Sequence, residues 1–102
     1  MATTFELLAD PTRRRLLDEL RKGECCVGSL VERLRMNQPA VSKHLRVLRN
    51  SGLASVRVEA QRRIYRLNPD RLRELDEWLA PYRAFWEKRL DAMERTLNTM
   101  ED

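Results

Sequence analysis

The sequence predicts a small, mainly α-helical domain that carries one β-hairpin. Its length of 102 residues corresponds to a single domain, so residues 1–102 are expected to fold as one unit. Apolar residues recur at helical spacing along most of the chain, with Pro near helix starts and Gly at helix ends. One stretch, residues 53–67, departs from that spacing and is instead rich in β-prone residues. Together these features predict five helices and a two-stranded hairpin.

Two helices are predicted before Gly23. The first is short and covers about Thr4 to Leu8. Asp10 is expected to cap the second helix, with Pro11 in its first turn, where the missing N–H of proline costs nothing. Gly23 ends this helix, whose apolar stripe consists of Leu16, Leu17 and Leu20.

A helix-turn-helix unit is predicted next. The third helix, Val27 to Leu34, has apolar residues at positions i, i+3, i+4 and i+7, which lie on one face. A tight connection leads to a fourth helix from Gln38 to about Asn50, with Asn37 as its N-cap. The predicted hairpin, about 53–67, follows at once, although its tip lacks the Asn-Gly or Asp-Gly pair typical of tight hairpins. Two helices, a short turn and a following hairpin predict a winged helix-turn-helix fold.

A long last helix is predicted from about residue 69 to residue 99. Its apolar residues follow a nearly heptad spacing, and this stripe is longer than one small core can cover. We therefore expect this stripe to be an association surface, with contacts from Leu75, Leu79, Tyr82, Trp86, Leu90 and Met93. Pro81 interrupts the pattern and is expected to kink or break the helix, and the sequence leaves both outcomes open.

Positive charge is concentrated in the middle of the chain. The formal net charge is +4, but Arg21 to Arg66 contains eleven basic and three acidic residues, a net charge of +8. The flanking segments, residues 1–20 and 67–102, carry net charges of −1 and −3. A positive segment between acidic flanks is typical of an element that binds a polyanion, the alternative being a solvated charged face.

The fourth helix has an outer face without acidic residues. Gln and Arg can form bidentate contacts to adenine and guanine in the major groove, and Ser and Lys can bind bases or phosphates. The arginines of the hairpin can reach the DNA backbone. We therefore expect binding to double-stranded DNA by Gln38, Ser42, Lys43, Arg46, Arg49, Arg57, Arg62 and Arg63. Two alternatives stay open: an ordinary amphipathic helix with a solvated face, and a winged fold that grips a protein partner.

Three segments resemble the ArsR family of winged-helix repressors. Leu8–Leu17 (LADPTRRRLL) resembles the opening signature of the family, and Met36–Arg49 (MNQPAVSKHLRVLR) resembles its recognition helix. Residues 51–53 resemble the exit into the wing, and the whole resemblance runs from about Phe5 to Met93. It implies a homodimer, formed through the first and last helices, that binds an inverted-repeat operator and represses transcription. Carried over by position, the base-proximal residues are Gln38, Ser42 and Lys43, with Arg46 and Arg49 nearer the backbone.

The resemblance also raises the question of a metal sensor. The arsenic-type members of the family have a Cys-Val-Cys motif, whereas this chain has Cys25, Cys26, Val27 and Gly28, so the second ligand position is lost. Two thiols make a poor zinc site, and the last helix has no His or Cys. We expect a subgroup without an intact metal site and without a cofactor. A vicinal Cys25–Cys26 pair leaves open a thiol-based arsenite or redox sensor, while His44 is expected to serve in helix packing.

Enzyme and membrane functions find little support in the sequence. There is one histidine, and no glycine-rich loop that could cradle a phosphate, so no catalytic constellation can be assembled. No apolar stretch approaches the ~18 residues of a membrane span, and the first residues do not resemble a signal peptide. The expected location is the cytoplasm, with no membrane partner.

Overall fold

In the computed structural model, residues 3–101 are described, and they confirm the predicted mainly helical fold. The four short helices have the bounds that the sequence predicts, and a single 3-10 turn, Pro69–Arg71, precedes the long one. In chain order the elements are α1 (Thr4–Leu8), α2 (Pro11–Lys22), β1 (Cys25–Cys26), α3 (Val27–Leu34), α4 (Gln38–Asn50), β2 (Ala54–Glu59), β3 (Arg62–Leu67) and α5 (Leu72–Glu101).

Side-chain caps explain where α2 and α4 begin. The Asp10 carboxylate accepts hydrogen bonds from the backbone N–H groups of Thr12 at 2.8 Å and Arg13 at 3.3 Å. The Asn37 side chain accepts from the backbone N–H of Ala40 at 2.9 Å. Both caps satisfy N–H groups that have no partner inside the helix, as their residue types predict.

The wing is a three-stranded sheet, whereas the sequence predicts two strands. The order is β1-β3-β2 and both pairs are antiparallel. β2 and β3 form the expected hairpin, with Ala60 at its tip in a left-handed conformation (φ 57°). The additional strand, β1, pairs Cys25 with Tyr65 and Cys26 with Ile64. A strand of two residues is too short to show alternation, so only its pairing with a distant segment reveals it.

The core lies where the apolar stripes of α2, α3 and α4 meet the base of the wing. Leu45 and Leu48 of α4 are fully buried there, together with Leu53, which leads into β2. Leu53 also closes the C-terminal end of α4, since its N–H donates to the Leu48 carbonyl at 2.9 Å. Gly52 allows this closure by adopting a left-handed conformation (φ 85°), which a side chain would strain.

The long helix α5 continues through Pro81 over 30 residues, so this proline does not break it. None of its side chains that the structure describes is buried. Leu75 and Leu79 are half-buried, while four other predicted dimer contacts are 48–63% exposed: Tyr82, Trp86, Leu90 and Met93. Near its start α5 packs on α1, where the rings of Phe5 and Trp78 meet edge to face at 5.6 Å. The result is an elongated molecule of 64 × 30 × 21 Å.

Over residues 3–101, no helix has both the length and the apolar character that crossing a lipid bilayer requires.

Candidate nucleic-acid interface

A cationic groove of about 540 Å³ lies between α4 and the wing. Four arginines line it, two from each side, and none of the lining residues is acidic. We call it the α4–wing groove, and it is lined by Gln38, Ser42, Arg46 and Arg49 of α4, by Gln61, Arg62, Arg63 and Tyr65 of the wing, and by Cys26, Val27 and Gly28. Its arginines can contact phosphates, and its amides and hydroxyls can contact base edges.

The helical period of α4 determines which residues reach the groove. Gln38, Arg46 and Arg49 are exposed, and Ser42 between them is half-buried. On the opposite face the apolar residues are fully buried: Val41, Leu45 and Leu48. The core thus holds one face of α4 and leaves the polar face open, as the helical wheel predicts. His44 is half-buried.

Two of the predicted DNA-binding residues lie outside the α4–wing groove. Lys43 is exposed on α4, but it is not among the residues that line the groove. Arg57 of β2 forms ion pairs with Glu24 and, at 3.2 Å, with Glu59. The hydrogen bond to Glu24, followed by that to Glu59, raises the pKa of Arg57 above its usual value. Two carboxylates therefore compensate its charge, which makes Arg57 less suited to a phosphate than Arg62 or Arg63.

Gln61 and Tyr65 line the groove but were not predicted to do so. Gln61 is next to Arg62 at the predicted hairpin tip, and its amide could have been included on that ground. Tyr65 is buried on β3, where it pairs with Cys25 of β1. No local sequence pattern would have identified it.

The two cysteines have different surroundings. Cys25 is buried in the core, and its sulfur accepts a hydrogen bond from Arg33 at 2.9 Å. Cys26 is half-buried and lies in the α4–wing groove, with its sulfur 3.3 Å from the Ser29 hydroxyl. Consecutive side chains of a strand point to opposite faces, so this arrangement does not favour a chelate by both thiols. Among residues 3–101, no group of three or more His, Cys, Asp or Glu side chains is arranged to hold a metal ion.

Cys26 is expected to react as a thiolate near neutral pH. Hydrogen bonds from the Ser29 side chain and backbone, with a contribution from Arg62, lower the pKa of the Cys26 thiol from 9.0 to about 7. Because only the thiolate attacks alkylating reagents, the rate of alkylation by iodoacetamide should rise with pH and reach half its maximum near pH 7. The measurement uses a Cys25→Ser variant, so that Cys26 is the reacting group. Adding Ser29→Ala should move the midpoint to higher pH, and an unchanged midpoint would contradict the assigned cause.

The chain is similar in sequence to known bacterial regulators. The family model described as "Bacterial regulatory protein, arsR family" matches residues 10–56, which contain α2, α3, α4 and the start of β2. The HTH-type transcriptional regulator Rv2034 of Mycobacterium tuberculosis is 35% identical, over 96% of this chain and 89% of that protein. The transcriptional repressor SdpR of Bacillus subtilis is 32% identical, over 78% of this chain and 88% of that protein.

A solved structure shows the same fold over most of the chain. Mb0332 from Mycobacterium bovis, described as a homodimeric winged helix-turn-helix DNA-binding domain, has a TM-score of 0.62 at 32% identity. The match covers 74% of this chain and 72% of that one. The relatives are regulators of transcription and not enzymes. The family model, the sequence identities and the shared fold together show that this chain belongs to the ArsR family of bacterial winged helix-turn-helix regulators that bind DNA.

Proposed function

We propose that this regulator is a homodimeric repressor that binds an inverted-repeat DNA operator and needs no metal ligand to do so. The observation that carries the proposal is the α4–wing groove, in which four arginines, two glutamines and a serine meet without an acidic side chain. Repression is supported by the similarity to SdpR, which is named a transcriptional repressor.

Roles within the groove follow from position and chemistry. Gln38 and Ser42 lie on the exposed side of the first turns of α4, where a recognition helix reaches base edges. Arg46 and Arg49 lie further along the same face and are assigned to phosphates. Lys43 is exposed outside the groove, and its base-proximal role remains an expectation from the family resemblance. Across the groove, phosphate contacts of the same kind are assigned to Arg62 and Arg63.

The exposed apolar face of α5 supports a dimer. Trp86, Leu90 and Met93 are 52–63% exposed and continue the stripe that begins with the half-buried Leu75 and Leu79. We assign this face to a second copy of the chain, because an exposed apolar patch marks an association surface. The relative Mb0332 is described as homodimeric. A two-fold dimer presents two recognition helices about one DNA turn apart, roughly 34 Å, and therefore fits an inverted repeat.

DNA binding without a metal is supported by the surroundings of the thiols. Gly28 stands where a second thiol ligand would be, and Cys25 is enclosed in the core. Cys26 alone could supply one ligand from the groove, and one thiolate does not make a metal site. The thiol-sensor alternative therefore depends on Cys26 acting without Cys25.

The test selects bound duplexes from a random-sequence pool and then compares two variants. We expect the selection to return an inverted repeat. Gln38→Ala should reduce the preference for that operator over a scrambled duplex by about 1–3 kcal/mol, because base contacts carry sequence information. Arg46→Ala should weaken binding to both duplexes by a similar factor and reduce the salt dependence by about one phosphate contact.

Arg21→Ala serves as the matched control, since Arg21 is an exposed arginine of α2 that does not line the groove. Equal losses on both duplexes for Gln38→Ala would reject base reading by this side chain. A protein-interaction module, the competing function, predicts weak salt dependence and no effect of removing Arg62 or Arg63.

A further inference from the structure

A chain of hydrogen bonds connects the end of α4 to the elements proposed to form the dimer. Arg71 is the last residue of the 3-10 turn before α5, and its Nη1 donates to the carbonyl of Ser51 at the end of α4. Its Nε donates to the hydroxyl of Thr4 in α1 at 3.0 Å. That hydroxyl in turn donates to the Glu74 carboxylate of α5 at 3.1 Å. One guanidinium therefore bridges α4 and α1 from the base of α5.

The burial of Thr4 favours one arrangement of its hydrogen-bond partners. Thr4 is fully buried, and it is the one buried polar residue within the part of the chain that the structure describes. A buried hydroxyl cannot bond to water, so the loss of its protein partners would leave it without hydrogen bonds. This cost disfavours other arrangements of Arg71 and Glu74 around Thr4. At the other end, the Ser51 carbonyl belongs to the C-terminus of α4, where a cation also interacts favourably with the helix dipole.

The bridge joins two parts of the molecule whose helices pack on different neighbours. α4 packs on α2, α3 and β2, whereas α5 packs on α1 and on the 3-10 turn. A nearby backbone hydrogen bond, from Asn68 to the Leu53 carbonyl at 2.9 Å, holds the exit of the wing in the same corner. Arg71 thus lies between the helix that reads DNA and the helices that would meet the second copy.

We propose that Arg71 is a positioning residue for operator binding, which sets the separation and angle of the two recognition helices by fixing α4 to α1 and α5. This inference rests on the proposed function, a dimer bound to an inverted repeat. Adding one base pair between half-sites moves them apart by about 3.4 Å and rotates one relative to the other by roughly 35°. A rigidly positioned pair of helices discriminates strongly against that change, and a loosened pair discriminates less.

The experiment measures affinity for the selected operator, for a single half-site and for the operator with one base pair inserted at its centre. Arg71→Gln should bind the full operator about tenfold more weakly than the parent, with half-site affinity within about twofold. The loss of affinity caused by the inserted base pair should be several-fold smaller for Arg71→Gln than for the parent. Arg73→Gln is the control, because it removes the same charge from an exposed position two residues along.

Thr4→Val is the second variant, because it keeps the side-chain shape while removing the hydroxyl that accepts from Arg71 and donates to Glu74. The Arg71 group that donates to the Ser51 carbonyl is not altered. Thr4→Val should lower the insertion penalty in the same direction by a smaller factor, which keeps the inference testable should Arg71→Gln unfold. The positioning role would be overturned if both variants lost as much affinity on the lengthened operator as the parent does. It would also be overturned if the substitutions weakened binding to the half-site and to the full operator equally. A parent protein that selects no inverted repeat would instead refute the dimeric function itself.

Discussion

Replacing Trp86 by glutamate is expected to make the protein monomeric and to weaken operator binding at least about 100-fold. The Trp86 side chain is 52% exposed at the middle of the apolar face of α5, which we assign to the second copy. A carboxylate there would be buried without a partner in the dimer, whereas water solvates it in the monomer. Without the dimer, each recognition helix binds its half-site alone, and the gain from bivalent binding is lost.

Sedimentation equilibrium measures the first effect and fluorescence anisotropy with a labelled operator measures the second. Ala84→Glu is the matched control, since it introduces the same charge about half a helical turn away from Trp86 on an exposed position of α5. The control should remain dimeric. A Trp86→Glu protein that still sediments as a dimer would exclude this face as the interface.

Truncating Leu45 to alanine is expected to lower the free energy of unfolding by about 2–5 kcal/mol. Leu45 is fully buried on the inner face of α4, in the cluster that contains Leu16 and Leu30 of the neighbouring helices. Truncation of this side chain leaves a cavity where α4 packs on the core. The loss therefore affects the orientation of α4 as well as overall stability.

Urea unfolding at a single fixed protein concentration gives this value, because the stability of a dimer depends on concentration. Lys43→Ala, an exposed change two residues away on the same helix, should alter stability by less than about 0.5 kcal/mol. A change below about 1 kcal/mol for Leu45→Ala would show that α4 is held mainly by other contacts.

The bounds of the helices could be predicted because their signals are local. Asp10 and Asn37 are followed by proline in the first turn of their helices, and Gly52 marks the end of α4. The acid-free face of α4 follows from its sequence and the helical period alone. The continuity of α5 through Pro81 could not be read in this way, because tertiary context decides between a kink and a break.

The features that sequence reasoning missed depend on contacts between distant segments. β1 exists because Cys25 and Cys26 pair with β3, almost 40 residues later. The same holds for Arg57, whose carboxylate partner Glu24 lies 33 positions away in the chain. The bridge through Arg71 spans 67 positions to Thr4. Such pairings leave no periodic pattern in the chain.

The way in which α4 is held has a consequence for the diversification of such regulators. The helix is closed at one end by the Asn37 cap and at the other by the turn at Gly52, and its inward side is occupied by three aliphatic residues. Its outward side therefore contributes little to folding, and substitutions there typically change stability by no more than about 0.5 kcal/mol. On the base-reading role that we propose for Gln38, duplicated genes would acquire new target promoters by altering this residue and its outward neighbours, while the inherited scaffold stays intact.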